Sequence, residues 1–169
     1  DALNFYLPPE IAVYDCKDVG FDFHARYDCK GKEYVYLIYN GKYRNPFYDN
    51  KAMFYPYEID AEMLDIEAKS FIGTHDFSAF CSAGTDIEDK VREIYDCSVI
   101  RNGDLIEIRV SGNGFLYNMV RIIAGTLIYI GTGKLEAGAF RRAIESGDRL
   151  DLGVTAPAHG LILMNIEYK

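Results

Sequence analysis

Alternation and helical periodicity divide the chain into a short series of elements. Residues 11–16 alternate apolar and polar positions and predict a strand. Residues 32–39 form a longer β-branched and aromatic run closed by Asn40-Gly41, and the two runs are expected to share a sheet. Residues 53–57 contain Pro56, which predicts an edge or a strand end because proline cannot donate to a ladder. Asp60 suits the N-cap of a helix reaching to about Ile72, with Met63, Ile66, Lys69 and Ser70 at helical spacing and Gly73 just beyond. Residues 91–101 and 104–110, joined through Asn102-Gly103, predict a hairpin whose two turn residues both take positive φ. Gly112-Asn113-Gly114 ends the second strand, and residues 115–130 predict a helix so apolar around its circumference that it must be buried on most sides. Residues 135–146 are amphipathic and stop at Gly147, and residues 161–168 alternate as a last strand. No internal repeat or linker interrupts this order. The expected architecture is a single α+β domain over 1–169, a mostly antiparallel sheet with helices packed on one face.

Composition narrows what such a domain does. At 169 residues and 49% hydrophobic the chain has material for one packed core. A net charge of -8 excludes a wholly basic nucleic-acid binder and leaves room for a local basic groove. The apolar stretches fall short of the roughly 20 residues of a membrane span, so a cytoplasmic protein is expected. The chain opens at Asp1 in mid-pattern, without a starting Met, as a piece of a longer protein would. Four cysteines, at positions 16, 29, 81 and 97, have neither C-x-x-C spacing nor a nearby histidine partner. Reduced thiols are expected, with Cys16, Cys29 and Cys97 as small core hydrophobes. His24, His75 and His159 stand singly and imply no metal site.

Charge is uneven. Residues 24–44 hold five cations and two acids, net +3, among five tyrosines, a mixture suited to phosphate contacts and base stacking but also ordinary in sheet sequence. Residues 58–70 carry net -4 and read as a solvated helix face.

Three stretches are more specific. Phe23-His24-Ala25-Arg26-Tyr27 precedes the strand that contains Tyr34 and Tyr36; Gly114 through Arg121 places one guanidinium in an apolar helix; and Thr155-Ala156-Pro157-Ala158-His159-Gly160 turns directly into the last strand. A guanidinium among Met119, Val120, Ile122 and Ile123 needs a carboxylate or several carbonyls to offset its desolvation, and a specific acid is the expected partner of Arg121. Read alone, Arg121 could equally cap a carbonyl cluster or join a structural ion pair. Tyr34, read alone, could be sheet packing with its hydroxyl bonded locally, and His24 and His75 are expected to be hydrogen-bonded structural residues.

Together with Leu3-Asn4-Phe5-Tyr6-Leu7-Pro8 and His75-Asp76-Phe77-Ser78-Ala79-Phe80, these stretches resemble, in order and through essentially the whole chain, the motifs of the tRNA pseudouridine synthase A family. The resemblance implies an isomerase that detaches uracil from its ribose at N1 and rejoins it through C5, with no cofactor and no metal, on a uridine flipped out of its stack. It implies that Tyr34, first of the Y-x-Y pair, stacks on the target base. It implies that Arg121, at the end of M-V-R, pairs with a catalytic Asp, and that Leu161 lines the pocket. Arg26, with Lys30 and Lys32 of the basic stretch, would contact the RNA. The family's catalytic pattern, R-T-D-x-G-V-H, is absent; the nearest string, Gly84-Thr85-Asp86-Ile87, lacks its Arg and its Gly-Val-His and carries no expected role. The chain is therefore expected to be the C-terminal half of a longer enzyme. Its expected partners are tRNA, which the resemblance implies is modified at the anticodon stem-loop, the N-terminal part that bears the Asp, and a second copy in a homodimer. The alternative is a non-catalytic RNA-binding or protein-interaction module of the same fold.

Overall fold

The computed structural model of the chain describes residues 2–168. Its centre is the strand β1 (Cys29–Tyr39), paired on one side with β5 (Leu105–Gly112) and on the other with β6 (Leu161–Tyr168) and the short parallel strand β2 (Met53–Phe54). Beyond β5 follow β4 (Val91–Asn102) and β3 (Gly73–Asp76), so that six strands form one sheet, antiparallel except at β2. The register sets Tyr36 opposite Ile108 and Ile38 opposite Ile106, with Ile108 in turn opposite Val99. Strand side chains alternate between faces, so this register collects Tyr36, Ile38, Val99, Ile106, Ile108 and Val110 on one face, where all are buried. The helices α2 (Ala61–Ala68) and α3 (Met119–Gly131) pack there, α2 against β4 and α3 against β1. The opposite face carries a charged row in which Arg109 bonds Glu107 at 2.6 Å and Glu33 at 3.3 Å. That contrast is the expected α+β plan of a sheet with helices on one side.

Local chemistry explains most boundaries. Asp60 caps α2, its carboxylate accepting from the Met63 amide at 3.0 Å, and a single 3-10 turn, Lys69–Phe71, ends the segment before Gly73 at φ 113°. The hairpin turn differs from expectation. Asn102 pairs with Leu105, the turn residues are Gly103 and Asp104, and only Gly103 has positive φ. Gly at the first central position suits a type II′ turn, so the strand gains one residue over the Asn-Gly reading.

Helices α3 and α4 (Ala139–Ser146) each begin about four residues later than their periodicity suggests. Asn118 and Gly138, both left-handed, precede the first helical turns and put the chain upstream of them out of helical conformation. Ten residues of α3 are nonetheless buried, as its apolar circumference requires.

The strand expected at 11–16 does not form. Residues 8–28 contain no strand before Cys29, and the segment after the short helix α1 (Ala2–Tyr6) is an exposed arm whose alternating side chains find no ladder partner among the described residues. It is held at Asn4, whose amide accepts from the Val13 N–H and donates to the Val13 carbonyl, each at 2.7 Å, and at Phe23, whose ring packs edge-on against Tyr168 of β6 with centroids 5.3 Å apart. Cys16, on this arm, is exposed, contrary to its expected core place; Cys29 is half-buried and Cys97 fully buried. Burial drives the Cys97 thiol well above its ordinary pKa.

Candidate functional site

Tyr34 and Tyr36, two positions apart on β1, point to the helix side of the sheet, and Lys32 lies on the same face nearer the strand's start. Tyr34 is half-buried and packs edge-on against Phe115, ring centroids 5.2 Å apart at 84°. Its hydroxyl has no hydrogen-bond partner among the described residues. Burial, and then the neighbouring Cys29, raise its pKa above the ordinary tyrosine value. Tyr36 is buried, and its hydroxyl donates to the Pro157 carbonyl at 2.8 Å. Desolvation raises its pKa, and the positive charge of Arg121 opposes that rise.

Arg121 stands in the first turn of α3. Its Nε donates to the Ala156 carbonyl at 2.7 Å and its Nη1 to Oδ1 of Asn118 at 2.8 Å. The Ala156 amide returns a bond to the Arg121 carbonyl at 3.0 Å. Asn118 itself occupies the left-handed region at φ 62°, which Asn tolerates better than most side chains, and its Nδ2 donates to Ser82 Oγ at 3.1 Å. The acid expected beside Arg121 is not found among the described residues. Among the described residues the guanidinium caps neutral oxygens, which orient it without neutralising it, and its Nη2 makes no bond there.

The turn that receives Arg121 is held by close backbone approach. A Cβ on Gly125 of α3 would sit 1.8 Å from the Val154 carbonyl oxygen, and one on Gly160 would sit 2.8 Å from both the Leu37 carbonyl oxygen and Tyr36 Cζ. Thr126 adds a hydrogen bond from the Gly153 amide at 3.0 Å. Residues 153–160 are thereby clamped between α3 and β1, and the chain enters β6 with Leu161 opposite Tyr36 and Leu163 opposite Tyr34. Leu161 packs partly against the core on that face.

Three sequence-selected segments thus adjoin the 153–160 turn: α3 through Arg121 on the Ala156 carbonyl, β1 through Tyr36 on the Pro157 carbonyl, and β6, which the turn enters at Leu161. Arg26 and Lys30 lie apart and exposed, the Arg26 guanidinium 5.7 Å from the Tyr27 ring centre. The Phe23 to Tyr27 stretch is a self-bonded turn in which His24 Nδ1 accepts from the Arg26 amide and Asp28 accepts from the His24 amide. In the His75 to Phe80 stretch, Asp76 accepts both the amide and the hydroxyl of Ser78, which holds its carboxyl below the ordinary range, while Phe77 and Phe80 are core. His75 bonds the Ile72 carbonyl. Both histidines are structural, as expected, and Asp86 lies in an exposed loop. Asn118, Phe115 and Ser82 were not singled out from sequence; Asn118 sits inside the Gly114 to Arg121 stretch, and only its left-handed backbone reveals its part.

The arrangement supplies a half-buried aromatic edge, an apolar side chain and an oriented cation, groups whose chemistry suits a planar ring and an anion. A protein class with these parts is the RNA-base-modifying enzymes, and the comparisons are specific about which. Residues 68–169 match the family model described as tRNA pseudouridine synthase. Proteins named tRNA pseudouridine synthase A from Caldicellulosiruptor saccharolyticus and Bacillus licheniformis are each 44% identical over 167 residues, covering 99% of this chain and 68% of their own length. The Bacillus subtilis protein of the same name is 43% identical over the same span. The chain belongs to the tRNA pseudouridine synthase family.

Proposed function

We propose that this chain is the C-terminal part of an enzyme that converts uridine to pseudouridine in tRNA, at the anticodon stem-loop, with its catalytic Asp supplied from outside residues 1–169. The observation that carries the proposal is Arg121, a partly buried guanidinium oriented by two neutral oxygens and lacking any acid among the described residues. Charge-assisted pairing with an incoming carboxylate would complete it. The relatives' extra length is room for that carboxylate.

In this reading the target uridine is flipped from its stack and its uracil lies against Tyr34, with Leu161 as the apolar wall. The Asp, held by Arg121, attacks or deprotonates the sugar. The C1′–N1 bond breaks, the base turns, and C5 joins C1′; C5 loses its proton and N1 gains one, so the product is an isomer and no cofactor or metal takes part. Arg26, Lys30 and Lys32 meet the RNA backbone. The enzyme works in the cytoplasm as a homodimer. Exposed apolar side chains gather on the arm (Phe5, Tyr6, Tyr14, Phe21) and on β6 (Leu163, Met164) rather than on the later helices, and these are the surfaces offered to the Asp-bearing part or a second copy.

Because the C5 proton leaves, the test is release of tritium from C5-labelled uridine in tRNA by the full-length enzyme. Release is expected, together with R-T-D-x-G-V-H encoded in frame upstream. A folded full-length protein that binds tRNA and releases no tritium would instead favour the non-catalytic binding module.

A further inference from the structure

A hollow of about 470 Å³ opens between the loop after the 3-10 turn Ser78–Phe80 and the segment that follows α4. Ser82, Thr85, Lys90 and Arg149 are its polar lining, and no carboxylate contributes to it. The Arg149 guanidinium is partly buried, which depresses its pKa, yet among the described residues it bonds only the Leu152 carbonyl at 3.3 Å and Thr155 Oγ1 at 3.5 Å. Neither Arg149 nor Lys90 has an acid within ion-pair distance among the described residues; Asp76, already bonded to Ser78, lies near enough to Lys90 for the lysine's charge to help lower its pKa. The acids of the same loop are turned to other duties or to solvent: Asp89 accepts from the Val91 amide, and Asp86 and Glu88 are exposed. In a chain of net charge -8, two cations without ion-pair partners lining one hollow, beside two hydroxyls, are a site for an anion.

The hollow is joined to the candidate active site. Ser82 accepts from Asn118, which accepts from Arg121, and the Ser82 amide donates to the Tyr117 carbonyl at 3.1 Å. Arg149, through Thr155, touches the turn whose next residue, Ala156, holds Arg121. An anion in the hollow would therefore lie one residue layer from the base pocket. A strand carrying a flipped nucleotide presents such an anion in its backbone. We propose that Lys90, Arg149, Ser82 and Thr85 bind a phosphodiester of the RNA strand flanking the target uridine. The proposal rests on the tRNA reading given above.

Each neutralised phosphate releases counterions, so each lost contact flattens the salt dependence of binding. In the full-length enzyme, Lys90→Gln is expected to weaken tRNA binding several-fold at low salt and to lower the slope of log K against log salt by about 1. Arg149→Gln is expected to do the same, and because Arg149 also braces residues 152–155, Lys90→Gln decides the matter if that variant misfolds. Lys134→Gln, which removes a cation lying 5.3 Å from the Tyr129 ring centre and outside the hollow, is expected to keep the wild-type slope. A wild-type slope in folded Lys90→Gln overturns the proposal, and so does an equal fall in Lys134→Gln, which would mean diffuse attraction. A wild-type enzyme that binds tRNA without releasing tritium, while Lys90→Gln still flattens the slope, would keep the phosphate site and overturn the uridine chemistry.

Discussion

Arg121 combines a positive charge, two neutral anchors and a free edge, and its worth in the proposed enzyme lies in that combination. Arg121→Met keeps the apolar volume and removes the cation, leaving the catalytic carboxylate unpaired in a desolvated site. Loss of a buried charged partner costs a few kcal/mol, so kcat should fall by about 10²-fold or more in a folded full-length enzyme. Unchanged kcat would leave Arg121 as a carbonyl cap. Asn118 is a positioning residue for the same group. Asn118→Gly tolerates the left-handed backbone and deletes the anchor, whereas Asn118→Asp keeps the acceptor. Glycine should lower kcat with little change in KM, and aspartate, whose carboxylate would neutralise Arg121 and compete with the catalytic Asp, should not restore it. For Tyr34, stacking on a base is worth roughly 1–3 kcal/mol, so Tyr34→Ala should cost about 10- to 100-fold in kcat/KM and Tyr34→Phe much less. Equal damage in both variants would assign the role to the hydroxyl.

At the scale of elements, α3 and the 153–160 turn are one unit, because their backbones approach too closely for side chains. Gly125→Ala forces a methyl into the Val154 carbonyl, and overpacking of this kind costs about 1–3 kcal/mol or more. A lowered melting temperature is expected, and with it a loss of activity at temperatures where the protein remains folded, since Ala156 carries the acceptor for Arg121. β1 adds a pH signature. Tyr34 and Tyr36 hold their protons in the folded state to higher pH than the ordinary tyrosine value of 10.0. The folded chain therefore binds more protons than the unfolded chain at alkaline pH, and stability falls as pH rises above about 10 while these two groups leave it unchanged below. Urea midpoints followed from pH 8 to 11 should show that decline, and Tyr36→Phe should make it shallower.

Over the whole molecule the net charge is -8, and among the described residues no acid pairs with Arg121. The chain by itself is expected to release no tritium from labelled tRNA, because Tyr34 and Arg121 position groups without supplying a carboxylate; turnover by the purified chain would refute this. Binding of tRNA to the chain alone should be weak and steeply salt-dependent, since its 18 cations are outnumbered by 26 acids and their excess is local. Submicromolar, salt-insensitive binding would speak for a stand-alone module. The arm is where the chain most clearly lacks a partner: Tyr14 and Phe21 are fully exposed, an arrangement water disfavours.

Periodicity and capping chemistry are local, so the sequence alone determined β1, the β4–β5 pair, the Asp60 cap and the β6 boundaries, and six ordered motifs pointed to the family. Tyr34, Arg121 and Leu161 stood out in the same way, as residues whose type was odd for their surroundings or matched a motif, and the proposed site is built on them. What needed the tertiary structure was every property that depends on a distant neighbour. Residues 11–16 alternate like a strand, but a strand exists only when another backbone accepts its hydrogen bonds, and none among the described residues does. Arg121 called for a counter-charge, yet only the packing of α3 on the 153–160 turn decided that Ala156 and Asn118 would hold it and that its free edge would remain. The hollow at Lys90 and Arg149 brings together residues 59 positions apart in the chain, a juxtaposition that folding creates and no local pattern encodes.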